Sequence, residues 1–371
     1  MERIGLIAEY NPFHNGHLYQ INKIKELYPD SIIILILNGY FLERGIISIE
    51  SKEVKTKLAL KYGVDIIIEL PFVFGSESAD IFASSSLELL NELKVNKLVF
   101  GSESNDIELL KTIANKQLEP NFDNLLKEYL DTGINYPTAL NKAIGIPLNS
   151  PNDLLGVSYI KAILKNNYNI EPISIQRTND YHDIKSNDEI ISASNIREKI
   201  NNNIDVSKFI PEGKINSIDY DLFFNLLKYK ILNEKDLSIY LTVDEGIDNR
   251  LKKVINEVST LTELIDKIKT KRYTYNRIMR MFIHILIGLT KEDKNKLNKN
   301  EYIRLLGFND NAQNYINSIK KDLSIPLVTK FTNVDSLIKD YELTAASIYK
   351  MLTNDDVLTF ELSNKPIKNS N

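Results

Sequence analysis

The sequence predicts an α/β fold, a doubly wound parallel sheet in its first two hundred residues followed by a mostly helical C-terminal domain. Three observations carry the prediction. Short β-branched runs alternate with helical patterns up to about residue 200, the signature of βαβ units whose strands are buried on both faces. Beyond that point the alternation stops, and the chain becomes rich in Leu, Ile, Lys and Asn at helical spacing. A length of 371 residues suits two or three compact units.

The first strand is expected over 3–8, where the N-terminus runs straight into Ile4, Leu6 and Ile7. Further strands are expected at 31–37, 65–69, 97–101 and 172–176, each a short apolar run bounded by turn residues. Helices at 17–28, 50–62, 78–93, 105–128 and 151–165 supply the crossovers. In such a sheet, ligands sit beyond the carboxyl ends of the strands at a switch point, here the loop after the first strand and the neighbourhood of Gly101. Asn201, Asn202 and Asn203, then Pro211, Glu212 and Gly213, interrupt the pattern, so the domains are expected at 1–200 and 201–371. The Asn-rich tail, 364–371, should fray.

Composition excludes several chemistries. Without cysteine there is no disulfide, thiolate zinc site, iron–sulfur cluster or cysteine nucleophile. The four histidines, at 14, 17, 182 and 284, make a multi-histidine metal centre only if distant parts converge. No apolar run approaches the roughly 20 residues of a membrane span, and the N-terminus lacks the features of an export signal, so a cytoplasmic location is expected. A net charge of −4 leaves nucleic-acid binding open, because a local basic face can bind phosphate on an acidic protein.

The most informative stretch follows the first strand. His14 and His17 stand three apart, with Asn15 and Gly16 between them and Pro12 and Phe13 before. A strand feeding a turn and then a helix aims backbone N–H groups and the positive end of the helix dipole at whatever lies above the strand end, which suits phosphate. Gly16 lets backbone approach a ligand closely, and two imidazoles can donate to phosphate oxygens where charge builds during attack at the α-phosphorus. Adenylyl transfer is the expected reaction, with His14 and His17 as its catalytic residues. An isolated H-x-x-H pair ordinarily caps and packs its own helix turn; here the strand before and the helix after favour a ligand. Farther on, Ser192 and Ser194 open a predicted helix with Arg197 one turn later, so hydroxyls and a guanidinium can converge on phosphate, or the serines simply cap.

The segment Asn11-Pro12-Phe13-His14-Asn15-Gly16-His17 resembles the H-x-G-H signature of nucleotidyltransferases, and Ile191-Ser192-Ala193-Ser194-Asn195-Ile196-Arg197 resembles the second signature of that superfamily. This resemblance implies a Rossmann-like sheet of nucleotidyltransferase type. More of the chain resembles one family within it, the bacterial tRNA(Met) cytidine acetate ligases, through 5–20, 38–45, 64–71, 100–103, 150–156, Arg177 with Tyr181 and His182, 191–197 and 271–277. The family resemblance implies an enzyme that condenses acetate with ATP to acetyl-adenylate and passes the acetyl group to N4 of the wobble cytidine, C34, of elongator tRNA(Met). By the same resemblance ATP lies against Ile7, Ala8, Glu9 and Tyr10, the loop residues Asn11, Pro12, Phe13, His14, Asn15, Gly16 and His17, and then Leu18, Tyr19 and Gln20. Gly101, Asn152, Arg177, Ser194 and Arg197 complete that site. Asn152 follows Pro151 at a predicted helix start, so it either caps that helix or reaches the ligand. Mg2+ should accompany ATP, although no protein ligand for it is evident. One departure stands out: Glu43-Arg44-Gly45-Ile46-Ile47-Ser48 replaces the family's Gln-Arg-Gly-Glu-Pro-Ala in a loop close to the expected site, where it bears on the acyl substrate or on the second, acetyl-transfer step.

In the helical half, Lys269, Lys271, Arg272 and Arg277 are interleaved with Tyr273, a combination suited to RNA because cations neutralise phosphate and rings stack on unpaired bases. The same stripe also suits a solvated helix face, and the resemblance weighs for RNA. His284, inside an apolar run, reads as a core or helix-surface residue. Two other functions fit parts of the sequence: a nucleotidyltransferase that adenylylates a small phosphorylated metabolite, and a non-catalytic RNA-binding protein on the same fold.

Overall fold

A computed structural model of the chain describes residues 1–148, 150–177, 189–363 and 365–369. Strands β1 (Arg3–Ala8), β2 (Ile32–Asn38), β3 (Ile66–Leu70), β4 (Lys97–Ser102) and β5 (Glu171–Gln176) form the parallel core in the order β5-β4-β1-β2-β3, so the switch point lies between β1 and β4. All seven residues of β2 are buried, as a central strand covered on both faces requires. Ile33, Leu35 and Leu37 face one core and Ile32, Ile34 and Ile36 the other, the period-2 alternation of a strand. Each such side chain removed from water contributes roughly 1.5–3 kcal/mol.

The crossovers are α1 (Asn15–Leu27), α2 (Lys52–Lys61), the single turn α3 (Phe72–Gly75), α4 (Ala79–Glu92), α5 (Ile107–Gln117), α6 (Phe122–Asp131), α7 (Tyr136–Ile144) and α8 (Pro151–Asn166). The helix expected over 105–128 is two helices, because Pro120 has no N–H to continue the ladder. After α9 (Ala193–Asn201) come α10 (Tyr220–Asn233), α11 (Ile247–Val254), α12 (Leu261–Ile268), α13 (Tyr275–Ile287) and α14 (Lys291–Lys296). Then the chain returns to the sheet.

Strand β6 (Ile303–Asn309) pairs antiparallel with β3, and β7 (Leu327–Val328) and β8 (Ile367–Asn369) pair with its far edge, giving eight strands. The helices α15 (Asp310–Ile319), α16 (Leu337–Thr353) and α17 (Val357–Leu362) pack around them. Neither the return to the sheet nor β8, inside the tail expected to fray, follows from the helical pattern. The reason is Arg304, which breaks the apolar run of β6 and is buried in a charge cluster. Lys52 of α2 meets Glu69, Glu342 at 2.7 Å and Glu361 at 2.9 Å, and Arg304 meets Glu69 at 3.0 Å and Glu361 at 2.5 Å. Burial by itself would lower the Lys52 ammonium, but Glu342, Glu361 and Glu69 more than offset it and hold the group charged. The cluster joins α2 and β3 to β6, α16 and α17, so it crosses the division expected near residue 200. Among the described residues no helix is long and apolar enough to cross a membrane.

Candidate active site

Strands β1 and β2 stay in register through Ala8, whereas the register of β1 with β4 covers Ile4 and Gly5. The sheet therefore opens at the carboxyl end of β1 on the β4 side. Ile7, Ala8 and Glu9 are partly exposed in that opening, and Leu18, Tyr19 and Gln20 of α1 are partly exposed beside it. Gln20 spans the gap, its amide donating to the Val99 carbonyl at 3.5 Å. Tyr10 turns the chain out of the strand in a left-handed conformation, φ +45°, and Pro12 follows a cis bond.

The two histidines cap α1 reciprocally. His14 is the N-cap, and its Nδ1 accepts from the Gly16 N–H at 3.0 Å; the Nδ1 of His17 accepts from the His14 N–H at 3.2 Å. Since both Nδ1 atoms are acceptors, each neutral ring carries its proton on Nε2, and no hydrogen bond from the described residues reaches either Nε2. Burial, reinforced by Arg177 and Arg197, pushes His14 down to about 3. Burial, with His14 and Arg177 adding to it, holds His17 well below its ordinary value. The rings lie 3.9 Å apart, backed by Tyr10 and Phe13. Gly16 is required for a local reason: a Cβ there would stand 2.7 Å from Cε1 of His14. The backbone donors expected to face a ligand are instead used inside the protein, Asn15 N–H by the Phe209 carbonyl at 3.0 Å and His17 N–H by the His14 carbonyl at 2.8 Å. Capping and ligand donation, set against each other by the sequence, are thus compatible on one pair of rings.

The loop is held from beneath by contacts that include Glu50 and Lys55, which the sequence does not single out. Glu50 accepts the Phe13 N–H at 2.7 Å, and Asn11 accepts the Ile49 N–H at 2.8 Å. Lys55, fully buried, spends its three donors on the carbonyls of Glu9, Asn38 and Gly39 at 2.9, 2.7 and 2.7 Å, the last links of β1 and β2. Burial pushes Glu50 up to about 7 and Lys55 down to about 7. The signal for both was faint: charged residues in a predicted helix whose partners lie far away in sequence.

Both signatures meet at this loop. Ser192 caps α9, accepting from the Asn195 N–H at 3.2 Å. Arg197 donates to the Asn11 carbonyl at 2.7 Å and to Ser194 at 3.1 Å, and Asn15 donates to the carbonyls of Glu189 and Lys208. A small core of Ile191, Ile196, Val206 and Phe209 holds α9 in place. On the other wall, Arg177 lies over Gly101, where a Cβ would be 3.4 Å from its Cγ, and its Nε is 3.9 Å from Glu103. Ser150 holds the N-cap position of α8 without a side-chain capping bond, and Asn152 lies inside the helix, its amide donating to Glu103 at 2.6 Å. Asp153 fixes the turn after β4 through the N–H groups of Glu103 and Ser104. Tyr181 and His182 lie outside the described residues. A dedicated Mg2+ site does not fit these residues: among those described, no group of three or more His, Asp or Glu side chains gathers to hold a metal, and Glu9 already accepts from Asn38 and from the Glu43 N–H.

In the helical half, Lys269, Lys271 and Arg272 are exposed, and the last two line a cavity of about 250 Å³ with Arg250 and Glu245. Tyr273, expected to stack on a base, is 3% exposed, and its hydroxyl is fixed by the Asp244 N–H and the Asp244 and Thr242 carbonyls. It ties a turn to the start of α13 and has no face to offer. Arg277 covers its ring at 4.1 Å and sits 3.7 Å from Asp244. His284 is fully buried against Ser76 and Thr242.

A doubly wound sheet, neutral histidines as hydrogen-bond donors at its switch point and a guanidinium-bearing helix tied to the same loop define a nucleotidyl transferase; the family model described as HIGH Nucleotidyl Transferase matches residues 1–363. The chain belongs to the tRNA(Met) cytidine acetate ligase family. It is 38% identical over 380 residues to the tRNA(Met) cytidine acetate ligase of Oceanobacillus iheyensis, covering 94% of each chain. With the one from Bacillus subtilis it shares 35% over 393 residues, 97% of this chain and 94% of the other. The crystal structure of apo Thermotoga maritima TmcAL superposes with a TM-score of 0.90 at 28% identity over the whole of both chains, and the form bound with alpha-thio ATP with 0.87 at 27%.

Proposed function

We propose that this chain is an ATP-dependent tRNA(Met) cytidine acetate ligase that makes acetyl-adenylate and transfers its acetyl group to N4 of the wobble cytidine, C34, of elongator tRNA(Met). The observation that carries this reading is the pair of Nε2–H donors on His14 and His17, neutral at physiological pH, at the switch point of a chain that is 38% identical to a named ligase of this kind. In the first step an acetate oxygen attacks the α-phosphorus of ATP and pyrophosphate leaves. The two imidazoles donate to the α-phosphate oxygens as charge builds on them, a contribution that exists before the reaction and costs no rearrangement during it. Arg177 and Arg197, on opposite walls, offer charged donors to the outer phosphates. Mg2+, when it accompanies ATP, would supply charge neutralisation through the nucleotide and not through a ligand set of this chain.

Within the departure at Glu43–Ser48, the carboxylate of Glu43, in place of the family's Gln, is met by Arg280 at 3.0 Å and its N–H by Glu9 at 2.7 Å, while Ile46 stands where the family has Glu. In this reading residues 1–200 hold the nucleotide and residues 201–371 present Lys269, Lys271, Arg272 and Arg277 to the tRNA, and the reaction takes place in the cytoplasm with its substrate. The test is pyrophosphate release from ATP by the full chain, with acetate omitted or supplied, and with C34 tRNA(Met) as a third condition followed by nucleoside mass analysis. Acetate-dependent release with N4-acetylcytidine in the tRNA is the expected result. Release that needs a phosphomonoester instead of acetate would replace this reading with a metabolite nucleotidyltransferase, and RNA binding with no release at all would leave a binding protein.

A further inference from the structure

Helix α13 links the cationic segment to the nucleotide loop through the turn at Glu43 and Gly45. Gly45, φ +72°, lies so close to α13 that a Cβ would stand 2.4 Å from the Arg280 nitrogen and 2.7 Å from the Met279 Cβ. Arg280 donates to the Glu43 carboxylate, Glu43 N–H donates to Glu9, and Glu9 follows the last residue of β1. Tyr275 opens α13 four residues before Met279, hence on the same face and about one 5.4 Å turn from this contact. It is 48% exposed, whereas Tyr273 beside it is buried. Tyr220, which opens α10, is 43% exposed, and its hydroxyl is within electrostatic reach of both Tyr275 and Arg197. Neither hydroxyl has a hydrogen-bond partner among the described residues. Exposure decides nothing alone, since Tyr229 is 68% exposed; position does. Lys269 and Lys271, exposed and without an ion-pair partner among the described residues, precede Tyr275 by a few residues and complement phosphate on that side.

The geometry points to Tyr275, aided by Tyr220, as the platform on which an unstacked pyrimidine base of the RNA lies while its exocyclic amine faces the acyl-adenylate. This rests on the function proposed above. The amine nitrogen forms the new C–N bond, the acyl C–O bond breaks, AMP leaves with its electron pair, and the amine proton passes to solvent. A ring is the right group for this task, because stacking holds a base of any sequence by its face and leaves its edge free to react.

The test compares the full chain with Tyr275→Ala, Tyr275→Phe and Tyr220→Ala, measuring acetyl transfer to C34 tRNA(Met) relative to acetate-dependent pyrophosphate release by the same variant. Loss of one stacking contact should lower that ratio about 10- to 100-fold in Tyr275→Ala, less in Tyr220→Ala, with Tyr275→Phe close to wild type. A ratio unchanged in Tyr275→Ala, or a Phe variant no better than Ala, overturns the platform. If wild type acetylates no cytidine, the proposed function fails and the platform is judged by binding: a Kd of Tyr275→Ala for the anticodon-loop RNA equal to that of wild type overturns it, and a Kd raised at least 10-fold with Phe restoring it sustains it.

Discussion

The cap that His14 and His17 form leaves both Nε2 protons for the donor role proposed for them, and substitutions there separate two contributions. His17→Ala should lower adenylate formation by about 10² or more, the usual loss when a preorganised transition-state donor is removed. His14→Asn keeps an N-cap acceptor and so should fold, yet lose adenylate formation to a similar degree. It also carries a signature in pH. The folded imidazole titrates at about 3 against an ordinary 6.5, so its contribution to stability is complete above 6.5 and drains away as the pH falls toward 3. Urea unfolding between pH 6.5 and 5 should therefore be less pH-dependent in His14→Asn than in wild type; equal slopes would mean that the ring is not held neutral. At this scale the H-x-G-H loop was legible from the order strand, turn, helix. The protonated nitrogen was not, because it is decided by which backbone N–H each Nδ1 accepts.

Among elements, α2 supplies the floor of the site. Removing the three donors of Lys55 by Lys55→Met leaves the buried carbonyls of Asn38 and Gly39 and the half-buried one of Glu9 without this partner, and about 1–3 kcal/mol of stability should go with each buried one, together with a raised KM for ATP. Glu50→Gln still presents an acceptor to the Phe13 N–H and should be milder in both measurements. Helix α13 and the turn before it are tested by salt. Neutralising Lys271 and Arg272 should flatten the log–log salt dependence of tRNA binding by about 1.4, since each single-strand phosphate contact contributes about 0.7. An unaltered slope would move the RNA surface elsewhere. The parallel strands were legible because continuous Ile-rich runs have few other homes. The strand Ile303–Asn309 was not, since a buried Arg304 reads as a surface residue until its carboxylate partners are known.

Across the whole molecule, the buried cluster of Lys52, Arg304, Glu69, Glu342 and Glu361 joins both halves of the sequence. Lys52→Met leaves Glu342 without its cationic partner and Glu69 and Glu361 with Arg304 alone, and should cost about 3–5 kcal/mol in urea unfolding, with both halves melting in one transition. Glu69 has a buried oxygen without a hydrogen-bond partner, and burial first of all raises its carboxyl, so Glu69→Gln should be better tolerated than Glu361→Gln. A chain ending near residue 200 would lack the partner of β3 and should associate through that edge, which light scattering would detect.

The same pairing bears on how the protein is made. A ribosome delivers β3 more than 200 residues before β6, and at roughly 5–20 residues per second the wait is on the order of 10 to 50 s. For that time Ile66, Ile67 and Ile68 present a bare strand edge to every other nascent chain nearby. Yield in the cell should therefore depend less on the finished fold than on translation speed across residues 71–302 and on whichever chaperone shields that edge.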